Sequence, residues 1–158
     1  MKYTRLTKEQ FEELHQEFIN FLATQSIDAS EWQSIKENKP EVAEEELDVF
    51  SDLVWEGVLK QAKFLEHISG QHMHLFALGD TNMHLIAIKL KNDIDLGTKE
   101  GFDWLRNNLL DDNVEFLQAN KSYGEDKHQD IFNLIQQGAI ITKGELYTYF
   151  NDLVNIDK

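Results

Sequence analysis

Helix-breaking residues are scarce in this sequence, and their scarcity limits the possible folds more than any other feature. The 158 residues include one proline, Pro40, and eight glycines. Because proline and glycine are the strongest interrupters of regular structure, long helical segments are expected between these few positions. A chain of this length buries roughly two thirds of its unfolded surface and can form a core without staples. We therefore predict one helix-rich domain over residues 1–158.

The long central segment is predicted to be a single helix. Pro40 suits its first turn, and apolar residues continue at helical spacing to about Ile68. Val49 and Leu53 help to make its second half apolar nearly all round. A helix of this kind is typically buried on several sides.

Two capping boxes mark the starts of the first and last helices. Thr7–Gln10 precedes an apolar stripe that runs to about Ala23, and Thr142–Glu145 precedes the last apolar stripe. A further helix is predicted to end at Gly138, where glycine can adopt the left-handed conformation that closes a helix. The short run Ala139–Ile141 is then predicted to be an apolar connector.

A small antiparallel sheet is predicted among these helices. The apolar runs His72–Leu78 and Met83–Leu90 flank the turn residues Gly79–Asn82, a pattern typical of a β-hairpin over residues 72–90. Val114–Leu117 predicts a third strand. The fold class that follows is α+β, with helices around a small antiparallel sheet.

Charge and composition exclude several classes of function. The 29 acids and 15 bases give a net charge of −14, whereas nucleic acids and anionic lipids are bound through basic surfaces. The chain has no cysteine, which excludes disulfides, thiolate zinc sites and iron–sulfur clusters. There is no apolar signal segment and no apolar run long enough to span a bilayer. We expect a cytoplasmic protein that binds neither nucleic acid nor membrane.

The first functional candidate is a row of acids on the predicted long helix. Residues 41–56 contain seven acids and no base, and five of the acids follow one another at spacings of three or four, which places them on one helix face. Such a row is either a solvated face or a binding surface for a basic partner protein. On either interpretation, charge reversal at Asp48 and Asp52 is expected to leave the fold intact or slightly more stable. If the row is a binding surface, the same reversal is also expected to abolish capture of the partner. The candidate partner-binding residues are Glu41, Glu45, Asp48, Asp52, Trp55 and Glu56.

The second candidate is a group of histidines in the predicted hairpin. His72 and His74 share one face of their strand because they are two residues apart. His84 joins them only if the hairpin loop has an odd number of residues. Imidazole is a common ligand of Zn²⁺ and other transition metals, although neither strand contains an acid to complete the set. The alternative hypothesis is thus a small metal- or ligand-dependent enzyme with its site at His72, His74 and His84.

Motifs with an established chemistry are absent from the sequence. There is no nucleophile elbow, no P-loop and no dinucleotide-binding glycine pattern. The sequence accordingly favours a non-enzymatic intracellular interaction protein that uses the acidic helix face, and no cofactor is expected.

Three segments of the chain are similar to a known family. Leu6–Leu14, Glu44–Glu56 and Gln136–Tyr147 together resemble an uncharacterised family of small acidic proteins from Bacteroidota. The resemblance covers nearly the whole chain. It implies a bacterial cytosolic protein folded as one domain, and it implies no catalytic residue because the family has no established activity.

Overall fold

A computed structural model describes residues 1–155, and over this part the protein has seven α-helices and five β-strands. The predicted α+β class is confirmed. The chain forms two compact units, Met1–Lys60 and Gln61–Lys158, so the prediction of a single domain stays a prediction. No helix within the described residues is long and apolar enough to cross a membrane.

The elements in chain order are α1 (Lys8–Glu13), α2 (His15–Ala23), α3 (Ala29–Asn38), α4 (Pro40–Gln61), β1 (Phe64–Ser69), β2 (His72–Leu78), β3 (Asn82–Leu90), α5 (Lys99–Asn107), β4 (Val114–Ser122), α6 (Lys127–Gln136), β5 (Ile140–Thr142) and α7 (Glu145–Val154).

The first unit consists of helices packed around a cluster of aromatic rings. The capping box at Thr7 and Gln10 is confirmed, with each side chain accepting a hydrogen bond from the other residue's backbone N–H. A one-residue distortion at Leu14 separates α1 from α2, so the predicted first helix is two helices that continue one apolar stripe. The ring centre of Phe18 lies 5.0 Å from that of Phe50, which brings the stripe against α4.

The predicted end of the long helix is wrong. Helix α4 ends at Gln61, and residues 64–69 form strand β1 instead of its last turns. Pairing with β2 overrides the helical spacing, because it buries Leu65 to 1% exposure within a sheet. Gly70, at φ +52°, supplies the left-handed turn between β1 and β2.

The second unit contains a five-stranded antiparallel sheet in the order β4-β3-β2-β1-β5. The predicted hairpin is confirmed, and the predicted third strand extends to Ser122. The prediction of an apolar connector over Ala139–Ile141 is wrong in part, because residues 140–142 pair with β1 as strand β5.

The last helix does not start at the predicted capping box. The N-cap of α7 is Gly144, at φ +82°, and it makes no side-chain cap hydrogen bond. Oγ1 of Thr142 accepts the backbone N–H of Gly144 (3.1 Å), one residue before the helix begins. A side chain at Gly144 would overlap the ring of Phe64, so glycine is required for the chain to turn from β5 into α7. The left-handed residue predicted at Gly138 is confirmed at φ +118°.

The two faces of the sheet differ in character. On the face that we call the core face, Met73, Leu75, Ile86 and Ile88 are at most 1% exposed and pack with side chains of α5 and α7. On the other face, which we call the histidine face, strands β1 and β2 carry His67, His72 and His74. This alternation follows from the strand period of two residues.

Candidate functional site

The predicted row of acids lies on α4, as expected from its spacing, but its members have different surroundings. Glu41 and Glu45 are exposed, whereas Asp48, Asp52 and Glu56 are half-buried. Trp55 is half-buried as well and packs against the aromatic core of the first unit. The structure therefore divides the row into an exposed N-terminal part and a covered C-terminal part.

The covered part binds residues 2–6 of the same chain, which we call the N-terminal segment. The carboxylate of Asp52 accepts the backbone N–H of Lys2 (2.7 Å) and the backbone N–H of Tyr3 (3.0 Å). Glu56 accepts the hydroxyl of Tyr3 and the ammonium of Lys2 (3.0 Å). Two carboxylates thus hold an extended segment through both its main chain and its side chains.

The same segment is fixed further along by Arg5 and Leu6. The guanidinium of Arg5 donates to Asp48 through Nε (2.8 Å) and lies 2.7 Å from the same carboxylate through a second nitrogen. The backbone N–H of Leu6 donates to Oγ of Ser51 (3.1 Å), which is fully buried and donates in turn to the carbonyl of Leu47 (2.7 Å). The acids that the sequence assigns to a partner are in large part a receptor for the chain's own basic segment.

The surroundings of Tyr3 in this segment stabilise its neutral phenol form. Burial and the hydrogen bond to Glu56 raise the pKa of Tyr3 to about 12. Burial disfavours the charged phenolate, and the neighbouring Glu56 carboxylate would repel it, so both causes favour the neutral phenol. The hydroxyl therefore remains a donor to Glu56 at any physiological pH.

The exposed side of α4 carries a second row, which we call the outer ridge and which sequence reasoning missed. Its members are spaced by four residues: Glu41, Glu45, Val49, Leu53 and Gly57. Val49 is 51% exposed and Leu53 is 55% exposed, so the predicted burial of these two side chains is wrong. A Cβ at Gly57 would meet no atom within 4 Å, which leaves open space beside the ridge. The sequence does contain a pattern that indicates this ridge: the acids Glu41 and Glu45 are followed, at the same spacing of four residues, by the apolar Val49 and Leu53.

The histidines of the hairpin do not all share one face. Leu78 pairs with Met83, so the loop between these partners has four residues and places His84 on the core face. There, Nδ1 of His84 is hydrogen-bonded to the hydroxyl of Tyr147 on α7. His72 and His74 lie on the histidine face, as their spacing predicts.

His67 takes the place of His84 in the cluster. It pairs directly with His74 across β1 and β2, and the two ring centres lie 6.4 Å apart. The ring centres of His72 and His74 are 6.1 Å apart. A Cβ at Gly138 would lie 2.9 Å from Nε2 of His67, so the turn after α6 lies against this ring. The sequence predicts helix up to about Ile68, so it gives no indication that His67 lies beside His74 in a sheet.

The metal site predicted at His72, His74 and His84 stays a prediction, and the structure places only His72 and His74 of these three on one face of the sheet. Over residues 1–155, no three histidine, aspartate or glutamate side chains are grouped so that they could hold a metal ion. A groove of about 590 Å³ adjoins the cluster, and its lining includes His72, His74, Lys89, Glu115 and Leu117.

The pKa of His74 is lowered by its surroundings. Burial is the largest cause, and the neighbouring His72 and His67 lower the pKa further because like charges disfavour protonation. The folded protein thus holds the His74 proton less tightly than the unfolded chain, whose value is near 6.5. Acidification through this range favours the unfolded chain.

Acidification is therefore expected to lower the melting temperature through His74. We expect the loss between about pH 7.5 and about pH 5.5 to be smaller in His74→Gln than in the wild type. Burial raises the pKa of Glu66, which acts with the opposite sign, because the folded state then keeps this proton longer as pH rises. Glu66→Gln should accordingly enlarge the loss. Thermal melts of the three proteins at both pH values test this, and an unchanged loss in His74→Gln would contradict it.

These features together define the class of protein: a small acidic α+β protein whose described residues carry charged and apolar surfaces but no assembled metal centre. Within that class, the chain belongs to a family of unknown function, DUF6495, whose model matches residues 1–155. The match covers nearly the whole chain, as the resemblance implies. No curated protein and no solved structure matches the chain.

Proposed function

We propose that the protein is a non-enzymatic interaction module of the bacterial cytoplasm, in which the exposed side of α4 binds a basic partner protein. The observation that carries the proposal is the outer ridge, where exposed Glu41 and Glu45 continue into Val49 and Leu53, each with more than half of its side chain exposed. Neither nucleic acid nor membrane is the proposed partner, because the chain carries a net charge of −14.

The chemistry of the ridge supports a partner that presents basic and apolar side chains together. Two carboxylates one helical turn apart favour a partner with basic side chains at matching spacing, and they contribute mainly to association rate and specificity. Val49 and Leu53 contribute affinity, since fully burying an apolar side chain of this size is worth roughly 1.5–3 kcal/mol. A basic amphipathic helix presents both kinds of side chain on one face and is the proposed binding element.

The covered part of the row supports the same chemistry. Asp48 and Glu56 already bind Arg5 and Lys2 of the N-terminal segment. The helix thus binds basic side chains of an extended segment in the folded protein itself. What the outer ridge adds is an exposed apolar pair beside exposed acids, on a side of the helix that the N-terminal segment leaves open.

Reversing the two exposed acids is expected to weaken partner capture strongly without unfolding the protein. Glu41→Lys combined with Glu45→Lys should reduce capture from a native cell lysate by about tenfold or more, equivalent to about 1.4 kcal/mol. The melting temperature should stay close to that of the wild type, because the only expected cost is a modest loss of favourable charge at the helix N-terminus. Capture is quantified by mass spectrometry at low and high salt.

A matched control separates the ridge from net charge. Glu13→Lys combined with Glu17→Lys makes the same change in charge at the same spacing, on exposed positions of α1 and α2. This control should capture the partner as the wild type does. Leu53→Ser should weaken capture at every salt concentration, because its contribution is apolar. Equal capture by wild type and the Glu41/Glu45 variant would mean that the ridge is only a solvated face.

A further inference from the structure

Strand β4 is an open edge of the sheet and is unusually exposed for its length. Of its nine residues only Val114 is half-buried, and the other eight are exposed on both faces. Leu117 is 60% exposed and Phe116 is 37% exposed. Edge strands are normally protected from pairing by shortness, proline or several lysines. Strand β4 is long, has no proline and has one lysine, Lys121.

The backbone of β4 shows which residues have their hydrogen-bonding groups directed to the open edge. Lys91 donates its N–H to the carbonyl of Asn113 (2.8 Å) at one end of the β3–β4 ladder, and Tyr123 donates to Thr81 (3.3 Å) at the other. Because bonded residues alternate along an antiparallel ladder, the odd-numbered residues of β4 bond to β3. The groups directed outward belong to Phe116, Gln118, Asn120 and Ser122.

We propose that β4 pairs in antiparallel fashion with β4 of a second copy of this chain, with the twofold axis at Gln118. Gln118 is the midpoint of Val114–Ser122, so this register pairs the whole strand and joins even-numbered residues to even-numbered residues. The outward N–H and C=O groups of both copies are then satisfied. Two sheets become one continuous antiparallel sheet with an isologous interface.

The side chains are complementary in this register. Glu115 lies opposite the partner's Lys121, and the symmetric pair repeats the contact. Both are at positions where directly opposed Cβ atoms lie about 4.5–5.5 Å apart, close enough for an ion pair. On the same face Leu117 lies opposite the partner's Ala119. This contact partly covers Leu117, which is more exposed than Phe116.

Neighbouring registers lack this match. If the twofold axis lies at Leu117, only residues 114–120 are paired and Glu115 lies opposite the partner's Ala119. A centre at Ala119 leaves Glu115 outside the pairing altogether. Glu115 also pairs with Lys91 of its own chain (3.1 Å), and both side chains are half-exposed, so its carboxylate has room for the second lysine.

Charge-swap variants test the register. The wild type should sediment at twice its chain mass of 18.4 kDa. Lys121→Glu should weaken the dimer by about tenfold or more, because like charges directly opposite each other are destabilising. Glu115→Lys should do the same, and the double variant Glu115→Lys with Lys121→Glu should restore the dimer. Sedimentation equilibrium gives the dissociation constants, and melting temperatures confirm that each variant is folded.

A proline pair provides a matched control on the backbone. Gln118→Pro removes an N–H that is directed to the open edge, so the protein should fold and sediment as a monomer. Leu117→Pro removes an N–H bonded to β3 and should destabilise the fold itself. A wild type that sediments at 18.4 kDa at high micromolar concentration would overturn the proposal. A dimer that survives Gln118→Pro and both single charge variants would also overturn it, since its interface would lie elsewhere.

Discussion

Replacing Asp48 and Asp52 together by lysine is expected to lower the free energy of unfolding by about 3 kcal/mol. Asp52 accepts two backbone N–H groups of the N-terminal segment, and hydrogen bonds to a charged acceptor contribute roughly 1.5–3 kcal/mol each when well shielded. Asp48 adds the ion pair with Arg5, which is partly exposed and contributes at most about 1 kcal/mol. The new lysines would also repel Lys2 and Arg5. Urea unfolding followed by circular dichroism measures the loss.

The matched control is the variant Glu41→Lys with Glu45→Lys. It changes the same charge on the same helix, at the same spacing, and neither Glu41 nor Glu45 is a partner in the hydrogen bonds described above for the N-terminal segment. Its free energy of unfolding should remain within about 1 kcal/mol of the wild type, since it loses only favourable charge at the helix N-terminus. If both double variants lose the same stability, the N-terminal segment is not held by Asp48 and Asp52. Limited proteolysis of residues 2–6 should distinguish the variants in the same way.

This prediction has the opposite sign to the one that the sequence supports. From spacing alone, lysines at residues 48 and 52 relieve i,i+4 repulsion and leave the fold intact or slightly more stable. The spacing correctly places Asp48, Asp52 and Glu56 on one helix face. It does not reveal the N-terminal segment, because the contact joins residues about 50 positions apart. Local periodicity carries no information about such a partner.

The error at β1 has a related cause. Leu65 and Ile68 fit the apolar spacing of the preceding helix, so the sequence extends α4 through them. Their strand conformation depends on pairing with Phe76 and Met73 of β2, a tertiary contact that overrides short apolar spacing. The same error hid His67 from the predicted site. The hairpin over residues 72–90, in contrast, was recognisable because its turn residues and both strands are local.

The histidine group shows how register decides a site. Sequence reasoning left the face of His84 dependent on the loop between the strands, and the pairing of Leu78 with Met83 settles it. A shift by one residue would have reversed every side chain of β3. Residue types alone therefore predict a site at His72, His74 and His84, whereas strand pairing groups His72 and His74 with His67.

Phe150→Ala is expected to be the most destabilising single substitution considered, at about 3–5 kcal/mol. Phe150 lies on α7, is 0% exposed, and packs against the buried residues of the core face. Removing the ring loses its transfer free energy and leaves a cavity between α7 and the sheet, because the strands cannot collapse into it without breaking their pairing. Urea unfolding at one fixed protein concentration measures the effect, since any self-association would make stability depend on concentration.

The neighbouring Tyr149 supplies the control for this substitution. Its ring centre lies 4.9 Å from that of Phe150, yet it is 39% exposed, so Tyr149→Ala removes a similar side chain from the outer side of the same helix. Its cost should fall well below that of Phe150→Ala. Similar losses for the two variants would mean that helix propensity, rather than burial on the core face, determines the stability of α7. The ring centre of Phe150 also lies 6.3 Å from that of Phe116 on β4. Removing the Phe150 ring should therefore also weaken the packing of β4, the strand proposed to form the dimer.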